Sequence, residues 1–268
     1  MGVIRHIAVN VFRESVRDKV LYNLVFFAVM LMSVSYLLGQ LTAGQDIKII
    51  KDLGLAATSL FGLFIAVFVG INMVSKEVDR RSAYPLFAKP VRRAEFILGK
   101  YAGLLLTLLA NIAVMTVALY AVLYFLSRGV PQNIQDVWDA PAMDPALLKA
   151  IALIYLNLAV VTAVALFFST YSSPMLSAVF TLGVYIAGQF NADLKRLDVI
   201  VDSPAAAAVA KACYYLLPDF ARFDIKLAVV HGLPVSSAYL ASTAAYAALY
   251  VAALLFGAIV IFSRRDFK

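Results

Sequence analysis

The sequence predicts an all-α membrane protein with six transmembrane helices, both ends in the cytoplasm and an amphipathic N-terminal helix in the membrane interface. First, the 268 residues are 63% hydrophobic and 15% charged, with a mean hydropathy of +0.88, whereas soluble domains are about 45–50% apolar and about 25% charged. Second, long runs contain no charged residue at all. Third, the basic residues cluster on alternate sides of those runs. Lipid cannot satisfy free backbone groups, so uniformly apolar runs of this length are expected to be helices.

Residues 1–19 carry the pattern of an amphipathic helix. One face is apolar and is formed by Ile4, Ile7, Ala8, Val11 and Phe12. The opposite face is polar and is formed by His6, Asn10, Arg13 and Arg17. A helix of this kind is expected to lie flat in the cytoplasmic interface. The acidic residues Glu14 and Asp18 argue against a cleaved signal peptide here.

The uncharged runs define the spans, because a helix needs about 20 apolar residues to cross the hydrocarbon core. Four runs are long enough for one helix each. The run between Lys149 and Asp193 is long enough for two, which divide where small polar residues precede Pro174. The predicted spans are 20–39, 53–75, 101–126, 150–169, 174–190 and 237–262.

Loop charges give the orientation. Most of the 23 basic residues lie in the N-terminal segment, in the 76–100 loop and at the C-terminus. Because basic loops stay in the cytoplasm, this alternation predicts that both termini lie inside. The whole chain, 1–268, is one transmembrane domain without a visible repeat. The 191–235 segment is then an outer loop, which we predict to form short helices at the membrane surface, with a re-entrant hairpin as the alternative.

The composition excludes several kinds of chemistry. No charged side chain or histidine falls within the six spans, which argues against a proton-driven carrier and an intramembrane protease. Cys213, His6 and His231 lack the spacing of a metal site. The chain contains no G-x-x-x-x-G-K-[ST] motif. We therefore predict no catalytic residue, metal or bound cofactor, and energy supplied by ATP and magnesium on a separate ATPase.

The 76–100 loop is more ordered in pattern than a simple charge run. Glu77 and Arg81 are spaced for an i, i+4 pair that would extend the second span. Two prolines, Pro85 and Pro90, then force turns. Residues 92–98 follow as a short amphipathic segment, after which Gly99 and Gly103 permit a close helix approach. Such a segment between two spans is suited to transmit a push from a docked partner.

This loop resembles that of ABC-2 type permeases, the membrane subunits of one class of ATP-binding-cassette transporters. The family pattern is an acid ending the second helix, a leucine-containing stretch, a proline, basic residues and Gly-Lys before the third helix. The matching residues are Glu77, Leu86, Pro90, Arg92, Arg93, Gly99 and Lys100. The stretches 217–224 and 262–267 also look similar to the family. Arg81-Ser82 replaces a frequent Gly-Thr, as in the branch similar to the permease of the nitrous-oxide-reductase maturation transporter.

The resemblance implies a second permease chain and two separate ATPases in the plasma, or bacterial inner, membrane, with export as the expected direction. It implies that an ATPase subunit is coupled through Glu77, Arg81, Pro90, Arg92, Arg93, Glu95 and Lys100. The substrate is not identified. A stand-alone carrier or channel, and an assembly factor that transports nothing, are the alternatives.

Polar residues within the spans are the candidates for lining a transport pathway. They are Asn72, Asn111, Asn157 and Gln189. Polar residues in spans more often bond neighbouring helices, so structural roles are the competing interpretation.

Overall fold

The computed structural model describes residues 2–17, 19–39, 46–79, 92–135, 138, 140–191, 211 and 214–264. Within these ranges the regular secondary structure is helical, as predicted, and no strand occurs. The helices are α1 (Gly2–Val16), α2 (Lys19–Gly39), α3 (Asp46–Asp79), α4 (Arg93–Gly129), α5 (Gln132–Gln135), α6 (Ala146–Ser169), α7 (Pro174–Gln189), α8 (Lys226–Val230) and α9 (Ser237–Arg264). A 3₁₀ turn, Ala221–Phe223, precedes α8.

Every predicted span lies on one of these helices. Four of them are long and apolar enough to cross a bilayer, namely α3 over Ile47–Ile71, α4, α6 and α9. The other two, α2 over Leu21–Val34 and α7, are apolar but shorter in the described part of the chain. The prediction of an all-helical membrane protein is therefore confirmed, and the number of six crossings stays a prediction.

Two helices, α3 and α4, begin at least seven residues earlier than the charge pattern predicted. α3 begins at Asp46 and includes Lys51, which falls between the first two predicted spans, 20–39 and 53–75, and is 1% exposed. α4 begins at Arg93, so residues 92–98 are not a separate short segment but the first two turns of a continuous 37-residue helix. The reason is that Arg, Lys and Glu are good helix formers, so a helix continues through charges that mark the edge of the lipid.

The bundle is organised around α6. This helix packs against α3, α4, α7 and α9, and buried residues occur on every side of it. α2 packs on α3 and α4, whereas α8 packs on α3 and α6. α9 lies at the edge of the bundle, with Leu249 and Phe256 both more than 70% exposed. The core therefore surrounds one helix, and the others form a partial shell around it.

A stripe of small residues lets α3 approach its neighbours closely. The stripe recurs every four residues and consists of Gly54, Thr58, Gly62, Ala66 and Gly70, all buried. A Cβ at Gly54 would meet Leu119 of α4, and one at Gly62 would meet Leu158 of α6. Membrane helices usually gain packing energy through close approach at small residues, because the hydrophobic effect does not drive helices together within lipid.

Candidate coupling site at the junction of α1 and α4

The start of α4 is fixed by a local hydrogen bond. The backbone N–H of Arg92 donates to Oε2 of Glu95 at 3.1 Å. The acid in the first turn also complements the positive end of the helix dipole. Glu95, predicted to contact an ATPase, therefore has a structural role in this chain. The Arg92 side chain is exposed at the very end of the helix.

Arg93 joins α4 to the end of α9. Its Nη1 donates to the carbonyl oxygens of Phe262, at 3.3 Å, and of Ser263. These carbonyls belong to the last turn of α9, where backbone acceptors lack partners within the helix and a cation is favoured. Arg93 thus holds two helix ends together, whether or not it also meets a partner.

Lys100 lies inside the bundle rather than on its surface. It is 2% exposed, and its ammonium lies 5.1 Å from the centroid of the Phe96 ring. Phe96 in turn stacks on Phe262 of α9, with ring centroids 5.8 Å apart. The buried ammonium supports this aromatic packing. We therefore leave Lys100 out of the surface that a partner could touch.

α1 packs directly on α4 through two glycines. A Cβ on Gly103 would lie 2.7 Å from the backbone oxygen of Ala8, and one on Gly99 would lie 3.2 Å from that of Ile4. The side chains of Ile7 and Val11 lie equally close to these two glycines, so a larger residue at either position would not fit without displacing α1. The predicted close approach at these glycines is confirmed, and its partner is the N-terminal helix.

The predicted two faces of α1 are present. Ala8 and Val11 are buried, whereas the exposed face carries His6, Asn10, Arg13 and Arg17. Arg5 is exposed next to the Ile4 contact with α4. We call Arg5, Arg13, Arg17 and Arg92 the basic platform, because they are exposed cations on, or directly next to, the closely packed helices α1 and α4.

The remaining predicted site residues are only partly placed. Arg81 and Pro90 lie outside the described residues, and Glu77 and Asn72 are described only as part of the α3 backbone. Asn111 is buried and donates to the carbonyl of Thr107 at 2.6 Å within its own helix. These observations do not bring the coupling residues and the pathway candidates to one place.

The other two pathway candidates differ from each other. The Tyr185 hydroxyl lies within reach of Gln189, one turn later on α7, and of Ser59 on α3. Asn157 is 7% exposed, and its Oδ1 has no hydrogen-bond partner among the described residues. Asn111 and Gln189 thus have polar neighbours within their own helices, whereas Asn157 keeps an amide oxygen without a partner among the described residues.

Sequence reasoning missed a row of tyrosines on α9. Tyr239 donates to the carbonyl of Arg222 at 2.6 Å, and Tyr250 donates to that of Leu216 at 2.9 Å. Between them the Tyr246 hydroxyl accepts from the N–H of Asp219 at 2.8 Å. We call Tyr239, Tyr246 and Tyr250 the tyrosine row. Their spacing of seven and four residues places them on one helix face, which was the available signal.

The tyrosine row fixes residues 216–222 alongside α9. Tyr250 is 13 residues from Ser237, or about 20 Å along the helix at 1.5 Å per residue. The Phe220 side chain is fully buried, and its N–H donates to the carbonyl of Gly188 in α7 at 3.0 Å. Residues 216–222 therefore run beside α9 rather than beyond its end. The rest of the first half of the predicted outer loop, 192–210 and 212–213, lies outside the described residues, so surface helices and a re-entrant hairpin both stay predictions.

At the end of the bundle away from Arg92, a polar cluster connects the first part of α3, the last part of α4 and the start of α6. Lys51 Nζ donates to the carbonyl of Pro141 at 2.8 Å, and the Tyr120 hydroxyl donates to that of Asp144 at 2.9 Å. Asp144 Oδ1 accepts from the N–H of Ala146 at 2.7 Å in the first turn of α6. The cluster therefore has a structural explanation in helix capping.

Comparison with the sequence models of known protein families and with curated proteins finds no match. Among the described residues, no group of three or more His, Cys, Asp or Glu side chains could hold a metal ion. The basic platform, together with the contact between α1 and the start of α4, is the feature on which the proposed function rests.

Proposed function

We propose that this chain is the transmembrane permease subunit of an ABC-2 type transporter, which exports an unidentified substrate across the plasma membrane. A separate ABC ATPase subunit binds ATP and magnesium and supplies the energy. This chain catalyses no reaction and binds no cofactor of its own. A second permease chain, identical or different, completes the pathway.

The observation that supports this proposal best is the rigid contact between α1 and α4. The backbone oxygens of Ile4 and Ala8 lie against Gly99 and Gly103, so little can be compressed between the two helices. A push on α1 would therefore displace the first turns of α4. α4 packs on both α3 and α6, which would carry the displacement to the centre of the bundle.

The charges of the basic platform favour an acidic docking surface. Its four arginines are exposed, and arginine makes planar, forked hydrogen bonds with carboxylates. Lipid phosphates attract the same side chains. The two partners differ in one respect, because a lipid surface responds mainly to charge, whereas a protein groove also requires the geometry of the guanidinium.

The test is co-purification with a separately encoded ABC ATPase, together with ATP hydrolysis in liposomes. We expect Arg5→Ala with Arg92→Ala to release the ATPase, because removing charged partners from a desolvated contact costs about 2–5 kcal/mol. The matching lysine variants should rescue only part of the binding. Arg128→Ala, which removes an exposed arginine at the other end of α4, is the control and should bind normally.

Three results would contradict the proposal. Wild-type binding and hydrolysis in the double alanine variant would show that the basic platform does not couple the two subunits. ATP hydrolysis by the purified chain alone would contradict the division of labour. Substrate exchange in liposomes that contain only this chain would indicate a stand-alone carrier.

A further inference from the structure

A cavity of about 350 Å³ lies beside α6, in the space between α7 and α9. Phe167 of α6 forms part of its floor, and Val184 of α7 and Leu254 of α9 line its walls. Leu216, from the segment that the tyrosine row holds, completes the lining. The volume lies in the range of small-molecule sites, about 300–1,000 Å³.

The chemistry of the lining is almost entirely hydrocarbon. Among the side chains that line the cavity, the Tyr250 hydroxyl is the polar group, and it already donates to the carbonyl of Leu216. A charged or strongly polar ligand would lose its hydration here without gaining hydrogen bonds in return. An apolar ligand has no hydrogen bonds with water to lose, and it would gain dispersion contacts on several sides.

The cavity opens at the height of the middle of α9, one of the helices that are long and apolar enough to cross a membrane. Leu216 lines the cavity and is 78% exposed, so this side is open to the surroundings. It is level with Tyr250, about 20 Å from the start of a 28-residue helix whose length is about 42 Å. Leu249 and Phe256, on the same helix, are 73% and 71% exposed. At this depth the surroundings are acyl chains rather than water.

We infer that this cavity holds the acyl chain of a membrane lipid, which enters laterally between α7 and α9. The lipid chain is the apolar group that surrounds the opening, and it matches a lining that offers no unused polar side chain. With a lipid chain inside, the cavity would also support residues 216–222, the segment that the tyrosine row holds. This inference does not rest on the proposed transport function, because a lipid site of this kind can exist in a membrane protein of any activity.

The experiment is fluorescence quenching of a reporter tryptophan by brominated lipid. The full chain, with Trp138→Phe to remove its single tryptophan, is placed in nanodiscs of phosphatidylethanolamine and phosphatidylglycerol, brominated near the middle of one acyl chain. Phe167→Trp reports from the cavity, and Phe256→Trp reports from the lipid-facing surface. We expect both to be quenched to a similar extent. Val184→Phe, which fills the cavity, should remove most of the quenching at position 167 and none at position 256.

Two results would overturn the inference. One is a reporter at position 167 that stays unquenched while the reporter at position 256 is quenched, as when a side chain of a second copy fills the cavity. The other is quenching at position 167 that persists after the cavity is filled. Circular dichroism and a single monodisperse peak establish folding, and Leu254→Trp replaces the first reporter if that variant does not fold. On the unsubstituted chain, native mass spectrometry should detect bound lipid that Val184→Phe loses, and equal lipid retention would count against the site.

Discussion

α6 and α9 are almost equally apolar but occupy very different positions. Their mean hydropathies over the span are 2.5 and 2.3, whereas 72% of the α6 span and 22% of the α9 span are buried inside the protein. α6 is surrounded by α3, α4, α7 and α9, whereas α9 packs mainly on α6. Hydropathy therefore places both helices in a membrane and does not tell which of them forms the centre.

The attachments of the two helices differ as well. α6 is held by close packing against α3, where Gly62 meets Leu158 and Gly70 meets Ala165. α9 contributes the tyrosine row, whose hydroxyls bond the backbone of one chain segment. Changes at α6 should therefore affect the whole bundle, and loss of a hydroxyl on α9 should affect mainly that segment.

The largest effect is expected where a side chain is forced between α3 and α6. Gly62→Ile would place a branched side chain against Leu158, and overpacking of this kind costs about 1–3 kcal/mol, occasionally more. Gly183→Ile is the matched control, because a Cβ at Gly183 of α7 would have no neighbour within 4 Å. The free energy of unfolding in mixed micelles measures both. Equal stability of the two variants would mean that α6 is not closely packed on α3.

A smaller and local effect is expected for the tyrosine row. Tyr246→Phe leaves the N–H of Asp219 without its acceptor, and bonds of this kind in membrane proteins contribute about 0.6–2 kcal/mol. Hydrogen exchange of residues 216–222 should then be roughly 3- to 30-fold faster, with little change elsewhere. Tyr215→Phe, at a side chain that is 73% exposed, should leave exchange unchanged. Unchanged exchange in Tyr246→Phe would show that the row does not hold this segment.

The sequence was informative where one residue type carried the signal. Uncharged runs located the helices, and the periodicity of residues 4–12 predicted the two faces of α1. The start of α4 was predicted too late, because Arg93, Glu95 and Lys100 were assigned to a loop although they favour a helix. The small-residue stripe on α3 and the spacing of Tyr239, Tyr246 and Tyr250 were visible in the sequence and were not used.

The partners of these side chains could not be predicted from the sequence. Arg93 contacts the end of α9, about 170 residues further along the chain, and the same charge pattern would also fit a lipid phosphate or another protein. Likewise, the pattern of 216–222 does not reveal that its backbone bonds to tyrosines of the next helix. Such long-range contacts follow from the packing of the whole bundle rather than from local propensity.

We predict that six helices cross the membrane, including the two shorter ones, α2 and α7. The most direct measurement is labelling of single cysteines by an impermeant thiol reagent, added to sealed vesicles of known orientation, in a Cys213→Ser background. The positions flank the helices in question and are exposed: His6 and Asp52 around α2, Arg92 and Gln132 around α4, and Tyr171 and His231 on the two sides of α7.

Six crossings predict that cysteines at positions 6, 92 and 171 are labelled from the cytoplasmic side. Cysteines at positions 52, 132 and 231 should then be labelled from the other side. If positions 6 and 52 share a side, α2 does not cross, and if positions 171 and 231 share a side, α7 does not cross. Either result would contradict the six-span account.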